Sequence, residues 1–271
     1  MPELPEVQTV VNSIRDDLIG EEIIDIDPIW ENVLFNFNRS VFNKNGTDFK
    51  VIDVRRRAKL IIIQTRKYIL AVHLRMTGKL YFLQKKNHPK HTRAIIYLKN
   101  NKKLVFEDTR KFGRIYLYDD MDLINSRHGV EPLGKKFSKK FLSDLLISKK
   151  RNIKYLLLDQ KFIAGLGNIY VDESLWMSKI HPKSISNRIP KRRVHNLFES
   201  IKIVLLESLE SMGTTIINYS YVNGKSGNYS EQLRVFGRTG RKCLRCQSEI
   251  EKIKVAGRGT HFCRKCQKQF S

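Results

Sequence analysis

Cysteine is absent from most of this 271-residue chain, because all four cysteines lie between positions 243 and 266. This distribution excludes a disulfide framework spread through a secreted fold. Long apolar runs are absent too. The longest, residues 60–74, is interrupted by Gln64, Arg66 and Lys67, and a membrane span needs about 18 apolar residues. The opening MPELPEV has neither the basic nor the apolar region of a signal peptide. We therefore expect an intracellular protein with no membrane association.

Acidic residues are scarce as well. The chain has 51 lysines and arginines against 27 aspartates and glutamates, and its formal net charge at pH 7 is +24. A surface of this charge fits a polyanionic partner, and nucleic acid is the obvious one. A lysine-rich composition inherited from an AT-rich genome is the alternative that charge alone leaves open, since isoleucine and asparagine are also frequent.

The N-terminal region has the pattern of one helix followed by many short strands. From Pro5 to Leu18 the valines and Ile14 recur at helical spacing, and Gly20 ends the helix. Residues 22–119 contain β-rich segments separated by polar or glycine-containing turns: FKVIDV, KLIIIQT, YILAVHL, KLYFL, RAIIYL, KLVFE and GRIYLY. Many short strands at this spacing predict a sandwich or a barrel rather than a parallel sheet.

After the EPLG segment at 131–134 the pattern changes to helices. The candidates are FSKKFLSDLLIS, IKYLLLDQKFI, NIYVDESLWMSKI and KRRVHNLFESIKIVLLESLESM, with Asn168 as a possible N-cap of the third. Residues 214–230 are polar and weakly periodic, which predicts a mobile loop. The last 41 residues form a separate small unit. We therefore predict an α+β multidomain protein with domains at 1–133, 134–230 and 231–271.

The four cysteines form two CxxC pairs: Cys243 with Cys246 and, after sixteen residues, Cys263 with Cys266. Two such pairs present four thiolates to one tetrahedral zinc ion, and the segments KIKV, AGRG and THF supply a β-hairpin between them. A closed four-sulfur shell leaves no open coordination position. The sequence therefore predicts one structural Zn²⁺ and no organic cofactor, with a redox or disulfide role as the alternative.

The segment around these cysteines is strongly basic. Residues 231–271 contain eleven lysines and arginines against three glutamates, a net charge of +8, which suits contact with phosphates. Arg258, at the predicted tip of the hairpin, is the best single candidate for such a contact. A solvated turn is the alternative reading of Arg258.

Pro2 follows Met1, so removal of the methionine would leave a secondary amine at the N-terminus. An α-amino group has a pKa of about 7.7–8.0, so at pH 7.5 roughly a third of it is unprotonated, against about 0.1% of a lysine ammonium. Such an amine is a nucleophile at neutral pH. Glu3 and Glu6 follow closely enough to move protons beside it. An MPE start by itself also fits an unstructured terminus.

Ten segments in the same order span residues 1–266 and resemble the bacterial formamidopyrimidine-DNA glycosylase family. They are MPELPEV, RRRAKL (55–60), HLRMTGKL (73–80), DTRKFGR (108–114), EPLG (131–134), AGLGNIYVDESLW (164–176), IHP (180–182), GTT (213–215), QLRVFGRTGRKC (232–243) and IKVAGRGTHFCRKC (253–266). The resemblance implies an N-terminal β-sandwich with an N-terminal helix, a helix–two-turns–helix domain and a C-terminal zinc-finger hairpin. It also implies excision of 8-oxoguanine and ring-opened purines from damaged double-stranded DNA held in the cleft between the domains. We expect a monomer in the bacterial cytoplasm, associated with the nucleoid through DNA.

The resemblance assigns the chemistry to four residues. Pro2 attacks the deoxyribose C1′, displaces the base and leaves an iminium, after which β,δ-elimination cleaves the strand. Glu3 is the implied proton donor to the sugar and the later acid/base, and Glu6 has a positional role. Lys59 matches a family lysine that serves as a proton donor and phosphate contact. A solvated strand charge is the alternative for Lys59.

A base inside a duplex is out of reach, so the damaged nucleotide must be flipped out and its place filled. The resemblance assigns the filling to Met76, Arg110 and Phe112, although Met76 and Phe112 taken alone would be read as core residues. It also implies phosphate contacts and a loop that closes over the flipped base. The contacts are His73, His91, Lys154, Asn168 and Arg258, and the loop residues within 214–230 are Thr214, Thr215 and Tyr219.

Two other functions remain open at this point. An endonuclease VIII-type glycosylase shares the proline chemistry and the zinc but prefers oxidised pyrimidines; PELPEV, rather than PEGPE, and the long polar loop favour the purine enzyme. A non-catalytic zinc-ribbon nucleic-acid-binding protein would explain the charge and the cysteines but not the MPELPE start. Thr77 stands where many members of the family carry a glutamate, which leaves the reading of the lesion open.

Overall fold

The fold is that of a computed structural model, which describes residues 2–43, 48–83, 87–214 and 227–271. Contacts divide the chain into two compact units. The first is Met1–Asn125 with Met212–Gly227, and the second is Ser126–Ser211 with Asn228–Ser271. The helices after position 126 and the cysteine segment thus belong to one compact unit, and the three domain boundaries drawn from the sequence stay a prediction.

The described residues of the first unit form eight strands and the helix α1 (Leu4–Leu18). The strands are β1 (Ile23–Asp27), β2 (Val51–Arg57), β3 (Leu60–Thr65), β4 (Ile69–His73), β5 (Lys79–Phe82), β6 (Thr92–Leu98), β7 (Lys103–Glu107) and β8 (Arg114–Tyr118). They form two four-stranded sheets of order β1-β6-β7-β5 and β2-β3-β4-β8. All of these pairings are antiparallel, and the consecutive pairs β2–β3, β3–β4 and β6–β7 are joined by short turns.

Both sheets turn one face into a shared core. Ile26 and Ile96 of one sheet and Val54 and Ile63 of the other belong to the same cluster of buried residues. Helix α1 adds its apolar stripe to this cluster: Val7, Val10, Val11, Ile14 and Leu18. The predicted β-sandwich with an N-terminal helix is confirmed.

The second unit is built on the helices α3 (Lys139–Ser148), α4 (Ile153–Leu158), α5 (Asn168–Met177) and α6 (Lys191–Glu210). Ser138 and Asn152 cap α3 and α4, since their side-chain oxygens accept backbone N–H groups of the first turn. Helix α5 is buried along residues 169–176. A helix enclosed on all sides carries no one-sided apolar stripe, so α5 is the central element of this unit.

The cysteine segment contains the predicted hairpin, made of β9 (Glu251–Val255) and β10 (Arg258–Phe262). Its turn residues Ala256 and Gly257 have φ angles of 52° and 72°. Two successive positive φ angles are the signature of a type I′ turn, whose twist matches that of paired strands. Arg258 pairs with Val255 and therefore lies at the hairpin tip, as the sequence indicated.

The structure differs from the expected elements in a few places. Strand β1 and the short helix α2 (Asp122–Ser126) were not predicted. Helix α4 ends at Leu158, because the Asp159 carboxylate accepts the N–H of Lys161 and forms a competing turn. The N-cap of α5 is Gly167 rather than Asn168, which is the first helical residue. Residues 215–226 of the predicted loop lie outside the described residues.

Within the part of the chain that the structure describes, no helix combines the length and the apolar character needed to cross a membrane.

Candidate active site and nucleic-acid interface

Helix α1 begins directly after Pro2 and Glu3, and both residues are buried. The Glu6 carboxylate accepts the backbone N–H of Glu3 at 2.8 Å, which forms a capping box with Glu3 as N-cap. Pro5 fits here because its fixed φ suits the first turn of a helix. The capping box places the Glu3 carboxyl group next to Pro2, at the amino end of α1, where a helix favours negative charge.

The second oxygen of Glu6 accepts the backbone N–H of Thr214 at 2.8 Å. Thr214 is itself buried. The first residue of the loop predicted to close over the flipped base is thus hydrogen-bonded to the start of α1. The ends of the loop approach each other closely, since a Cβ on Gly227 would collide with the Gly213 carbonyl oxygen. Glu6 thus has contacts that suit the positional role expected of it. Thr215 and Tyr219 lie outside the described residues.

Lys59 lies in the two-residue turn between β2 and β3, and only 7% of its surface is exposed. The preceding residue, Ala58, has a φ of 54°. Arg56 joins this turn to α1, because its guanidinium donates to the Ala58 carbonyl at 2.8 Å and to Gln8 Oε1 at 3.3 Å. Lys59 is buried and its turn is hydrogen-bonded to α1. These contacts favour a lysine side chain with a fixed orientation over the alternative of a solvated charge on a strand.

The three residues expected to fill the space left by a flipped base contact one another. Arg110 Nη1 donates to Met76 Sδ at 3.1 Å, and the Arg110 guanidinium carbon is 4.8 Å from the centroid of the Phe112 ring. Met76 and Phe112 are 39% and 47% exposed, so neither is a core residue. We refer to Met76, Arg110 and Phe112 as the wedge. Exposed apolar side chains of this kind can enter a base stack.

The two expected phosphate-facing histidines are attached to the turns that carry the wedge. His73 ends β4, and its Nδ1 accepts the backbone N–H of Arg75 at 3.1 Å, one residue before Met76. His91 precedes β6, and its carbonyl oxygen accepts the N–H of Asp108 at 3.0 Å. Both imidazoles are half-buried. Their contact with DNA stays a prediction.

Lys154 is placed differently from the expectation of a phosphate contact. Its side chain is fully buried, and its ammonium donates to Asp172 Oδ1 at 2.6 Å and to Thr260 Oγ1 at 2.8 Å. An ammonium in this position links α4, α5 and β10 and has no access to a phosphate in the conformation described. Burial with a carboxylate partner is the physical reason, since an unpaired buried charge is very costly.

Two acidic residues of α5 that the sequence analysis did not single out hold the cysteine segment in place. Asp172 Oδ2 accepts the backbone N–H of His261 at 2.8 Å. Glu173 is fully buried and accepts the backbone N–H groups of residues 234–236, each at 2.9 Å. Burial raises the pKa of Glu173, and these three donors oppose the rise. The sequence feature that could have identified Asp172 and Glu173 is their position as an acidic pair inside the otherwise apolar helical segment IYVDESLW.

Asn168 and Arg258, the other expected phosphate contacts in the second unit, lie near each other in the fold. Asn168 Nδ2 donates to the carbonyl oxygen of Gly259 at 2.9 Å, and Gly259 follows Arg258 in β10. Arg258 is exposed. The start of α5 and the tip of the hairpin therefore form one surface with exposed positive charge, and its contact with phosphates stays a prediction.

The four cysteine sulfurs lie within 4.8 Å of one another. A tetrahedral zinc ion with Zn–S bonds of about 2.3 Å separates its sulfurs by about 3.8 Å. The Sγ–Sγ distances are 3.9 Å for Cys243 with Cys266 and 3.4 Å for Cys246 with Cys263, so the cluster fits zinc. Hydrogen bonds from Ser248 lower the pKa of Cys246 to about 6, whereas burial raises that of Cys266 to about 12. A bound cation favours the thiolate at both positions.

Three features together define a class of protein: a β-sandwich with an exposed wedge, a helical unit joined to a four-sulfur zinc hairpin, and a large positive charge. The class is that of zinc-finger proteins, enzymes or not, that bind duplex DNA. Comparison with known proteins narrows this class. Residues 1–115 match the formamidopyrimidine-DNA glycosylase N-terminal domain, residues 128–220 the formamidopyrimidine-DNA glycosylase H2TH domain, and residues 240–269 a zinc finger found in FPG and IleRS.

Curated relatives agree with these domain matches. The chain is 41% identical over 261 residues to a formamidopyrimidine-DNA glycosylase of Pelotomaculum thermopropionicum. The matched region covers 94% of this chain and 95% of the relative. It is 39% identical over 261 residues to a formamidopyrimidine-DNA glycosylase of Rickettsia conorii, covering 94% of each chain.

Solved structures give the same answer for the fold. A point mutant of Lactococcus lactis FPG in complex with a Fapy-dG-containing DNA has a TM-score of 0.89 and 35% identity, covering 99% of this chain and 100% of that one. MutM in complex with a carbocyclic 8-oxo-G-containing DNA has a TM-score of 0.88 and 35% identity over the same shares. The chain belongs to the formamidopyrimidine-DNA glycosylase family.

Proposed function

We propose that this protein excises 8-oxoguanine and formamidopyrimidines from duplex DNA and then cleaves the strand at the resulting abasic site. The observation that carries the proposal is the wedge: Met76, Arg110 and Phe112 contact one another and leave two large apolar side chains exposed. A protein that only binds the DNA backbone has no use for such a group. A protein that flips a nucleotide out of the stack needs one to fill the space.

The nucleophile in this proposal is the amine of Pro2 after removal of Met1. Its nitrogen bonds to the deoxyribose C1′, the bond from C1′ to the damaged base breaks, and the base leaves with the electron pair and takes up a proton. The product is an aminal, in which C1′ is bonded to both the Pro2 nitrogen and the ring oxygen O4′, and the proton lost by the nitrogen is the one that the base takes up. Glu3, held at the start of α1, then donates a proton to O4′. The C1′–O4′ bond breaks, the ring opens, and the nitrogen lone pair forms an iminium with C1′. Lys59, buried on its braced turn, is a second proton donor and contacts the neighbouring phosphate.

Strand cleavage follows from the same intermediate. The positive iminium makes the C2′ protons acidic, and Glu3 in its carboxylate form removes one of them. The 3′ phosphate then leaves by β-elimination, and a second elimination releases the 5′ phosphate. Hydrolysis of the remaining iminium by water returns the free Pro2 amine. No organic cofactor takes part in this sequence.

The second unit supplies DNA binding in this proposal. Asn168 and Arg258 contact phosphates of the bound strand, and the zinc ion fixes the hairpin that presents Arg258. Thr214, tied to Glu6, begins the segment that closes over the flipped base. Binding to DNA places the protein at the bacterial nucleoid. The protein acts as a monomer, since one chain carries both the proline chemistry and the zinc finger.

The test is single-turnover excision from duplexes that differ in one base. The purified holoenzyme is mixed with DNA containing 8-oxoguanine, a formamidopyrimidine or an oxidised pyrimidine, each opposite its normal partner. We expect the two purine lesions to be removed and the strand cut, with the oxidised pyrimidine removed more slowly. Faster removal of the pyrimidine would assign the protein to the endonuclease VIII type of activity. Tight DNA binding without any excision would leave a non-catalytic zinc-ribbon protein.

A further inference from the structure

Asp108 is a fully buried carboxylate at the base of the two turns that carry the wedge. Its Oδ2 accepts the backbone N–H groups of Phe112 and Gly113, both at 2.8 Å. Its Oδ1 accepts the backbone N–H of Arg110 at 3.2 Å and the hydroxyl of Thr77. The Asp108 carboxylate therefore binds the backbone N–H groups of the wedge residues Arg110 and Phe112. It also binds the side chain of Thr77, the residue that follows Met76.

Thr77 completes the connection between the turns. Its side chain is buried, with 7% of its surface exposed, and its Oγ1 also accepts the N–H of Arg110 at 3.2 Å. The turn carrying Met76 and the turn carrying Arg110 and Phe112 are thus joined through Thr77 and Asp108. The Thr77 hydroxyl donates to a carboxylate inside the protein, so this group is directed at the turns and not outwards.

Both turns need such a connection, because each contains a non-glycine residue in the left-handed region. Arg75 has a φ of 54° and Lys111 a φ of 57°. A left-handed conformation is unfavourable for a non-glycine residue and persists where its surroundings fix it. Each turn also ends on a glycine without room for a side chain, since a Cβ would collide with the Leu74 carbonyl oxygen at Gly78 and with the Phe106 ring at Gly113.

We infer that Asp108 and Thr77 are positioning residues that make Met76, Arg110 and Phe112 enter the base stack as one rigid group. This inference rests on the proposed glycosylase function. Neither residue touches the reacting atoms in this account, so their loss slows the opening of the base pair and leaves the proline chemistry intact. A wedge whose two turns move separately fills the vacated space poorly, and the flipped state is then less populated.

The experiment separates flipping from chemistry with two substrates. The first is a duplex with 8-oxoguanine and a neighbouring 2-aminopurine, whose fluorescence rises when the stack opens. The second is a single-stranded oligonucleotide with a preformed abasic site, which needs no base pair to be opened. The variants are Thr77→Val, Thr77→Ser and Asp108→Asn in the full-length zinc-loaded protein. Thr65→Val is the matched control, because the buried Thr65 hydroxyl donates to the Tyr68 carbonyl in the turn at the other end of β4.

We expect Thr77→Val and Asp108→Asn to slow the fluorescence rise and duplex excision about ten- to a hundredfold. Cleavage of the single-stranded abasic site should stay within about twofold of the wild type. Thr77→Ser, which keeps the hydroxyl, should restore the duplex rates, and Thr65→Val should leave them unchanged. The double variant of Thr77→Val with Asp108→Asn should be no slower than Asp108→Asn alone, since both act through one connection.

Two results would overturn the inference while the proposed function stands: duplex rates in Thr77→Val equal to those of the wild type, or an equal loss on both substrates. If Asp108→Asn does not fold, the comparison of Thr77→Val with Thr77→Ser still decides the matter. A wild-type protein that acts on neither substrate would instead overturn the proposed function, and the inference with it.

Discussion

At the scale of single residues, Lys154 shows how burial changes the role that a motif suggests. The sequence predicts a phosphate contact, yet the ammonium lies inside the second unit against Asp172 and Thr260. No periodicity distinguishes a lysine that points into a core from one that points at DNA. One hydrogen-bond partner of the Lys154 ammonium, Thr260, is more than a hundred residues away in the chain. This contact follows from tertiary packing, which the local sequence does not reveal.

Replacing Lys154 with methionine should therefore act on stability. The change leaves Asp172 as a buried carboxylate without its cation, and loss of one member of a buried ion pair costs about 3–5 kcal/mol. We expect the free energy of unfolding, measured by chemical denaturation, to fall by that amount. Lys140→Met is the matched control, because Lys140 is 85% exposed and pairs with Asp144 at the surface, where such a pair contributes less than about 1 kcal/mol.

The salt dependence of DNA binding separates the two roles of Lys154. Loss of a phosphate contact lowers the slope of log K against log salt by about one. We expect Lys154→Met to weaken binding without changing this slope under conditions where the variant is folded. A slope lowered by one with unchanged stability would contradict the structural role and restore the phosphate contact.

Arg110 should determine which base is tolerated opposite the lesion. After the damaged purine leaves the stack, an arginine fork can satisfy the O2 and N3 acceptors of the opposite cytosine, but it fits adenine poorly. Such bidentate contacts contribute about 1–3 kcal/mol of discrimination, so Arg110→Ala should reduce the preference for cytosine over adenine about ten- to a hundredfold. The measurement is single-turnover excision with each base opposite 8-oxoguanine.

Arg15→Ala is the control for this prediction, because the exposed Arg15 guanidinium, in the last turn of α1, pairs with Asp53 of β2 at 2.9 Å. Its ratio of cytosine to adenine should equal that of the wild type. The same ratio in Arg110→Ala would mean that Arg110 does not read the opposite base.

At the scale of elements, the sequence predicted those whose signal is local. The seven segments with β-rich composition became β2 to β8, and the four periodic segments became α3 to α6. Strand β1 was missed because IIDID places two acidic residues in five positions, and its pairing with β6 is a long-range contact. Asp172 and Glu173 were missed for the same reason, since their partners lie in the cysteine segment.

The zinc segment should depend on its metal. The sulfurs pack against Trp176 of α5, with Cys243, Val235 and Ile250 in one cluster, and the Arg245 guanidinium lies 4.0 Å from the Trp176 ring centroid. Chelation, or Cys266→Ser, should release the hairpin and change the emission of Trp176. A Trp30→Phe background isolates this signal, because the chain has two tryptophans. Zinc sites of this type are coupled to folding, so DNA binding should be lost as well.

The circular dichroism of the first unit's β-sandwich should persist in the chelated protein, because its core contains none of the cysteines. Full activity after verified removal of zinc would contradict the structural role of the metal.

At the scale of the whole molecule, the charge of +24 was visible in the composition, but its distribution over functional surfaces was not. Arg258 is exposed at a hairpin tip and should contact one phosphate. Arg258→Ala should weaken binding to all duplexes alike and lower the salt slope by about one. Lys99→Ala is the control, since Lys99 lies in the turn between β6 and β7 and pairs with Glu22 at the surface. Equal slopes in the wild type and Arg258→Ala would contradict the phosphate contact.

Borohydride trapping shows which amine forms the covalent bond to DNA, and we expect it to be the Pro2 amine. The holoenzyme is mixed with a duplex containing one 8-oxoguanine in the presence of borohydride, which reduces the iminium to a stable amine. Peptide mapping by mass spectrometry then locates the attached DNA. We expect an adduct on a peptide that begins with Pro2, and no adduct on Pro2 in protein that retains Met1, because the Pro2 nitrogen is then part of an amide bond. An adduct on an internal lysine such as Lys59, or excision without any trapped adduct, would contradict this expectation.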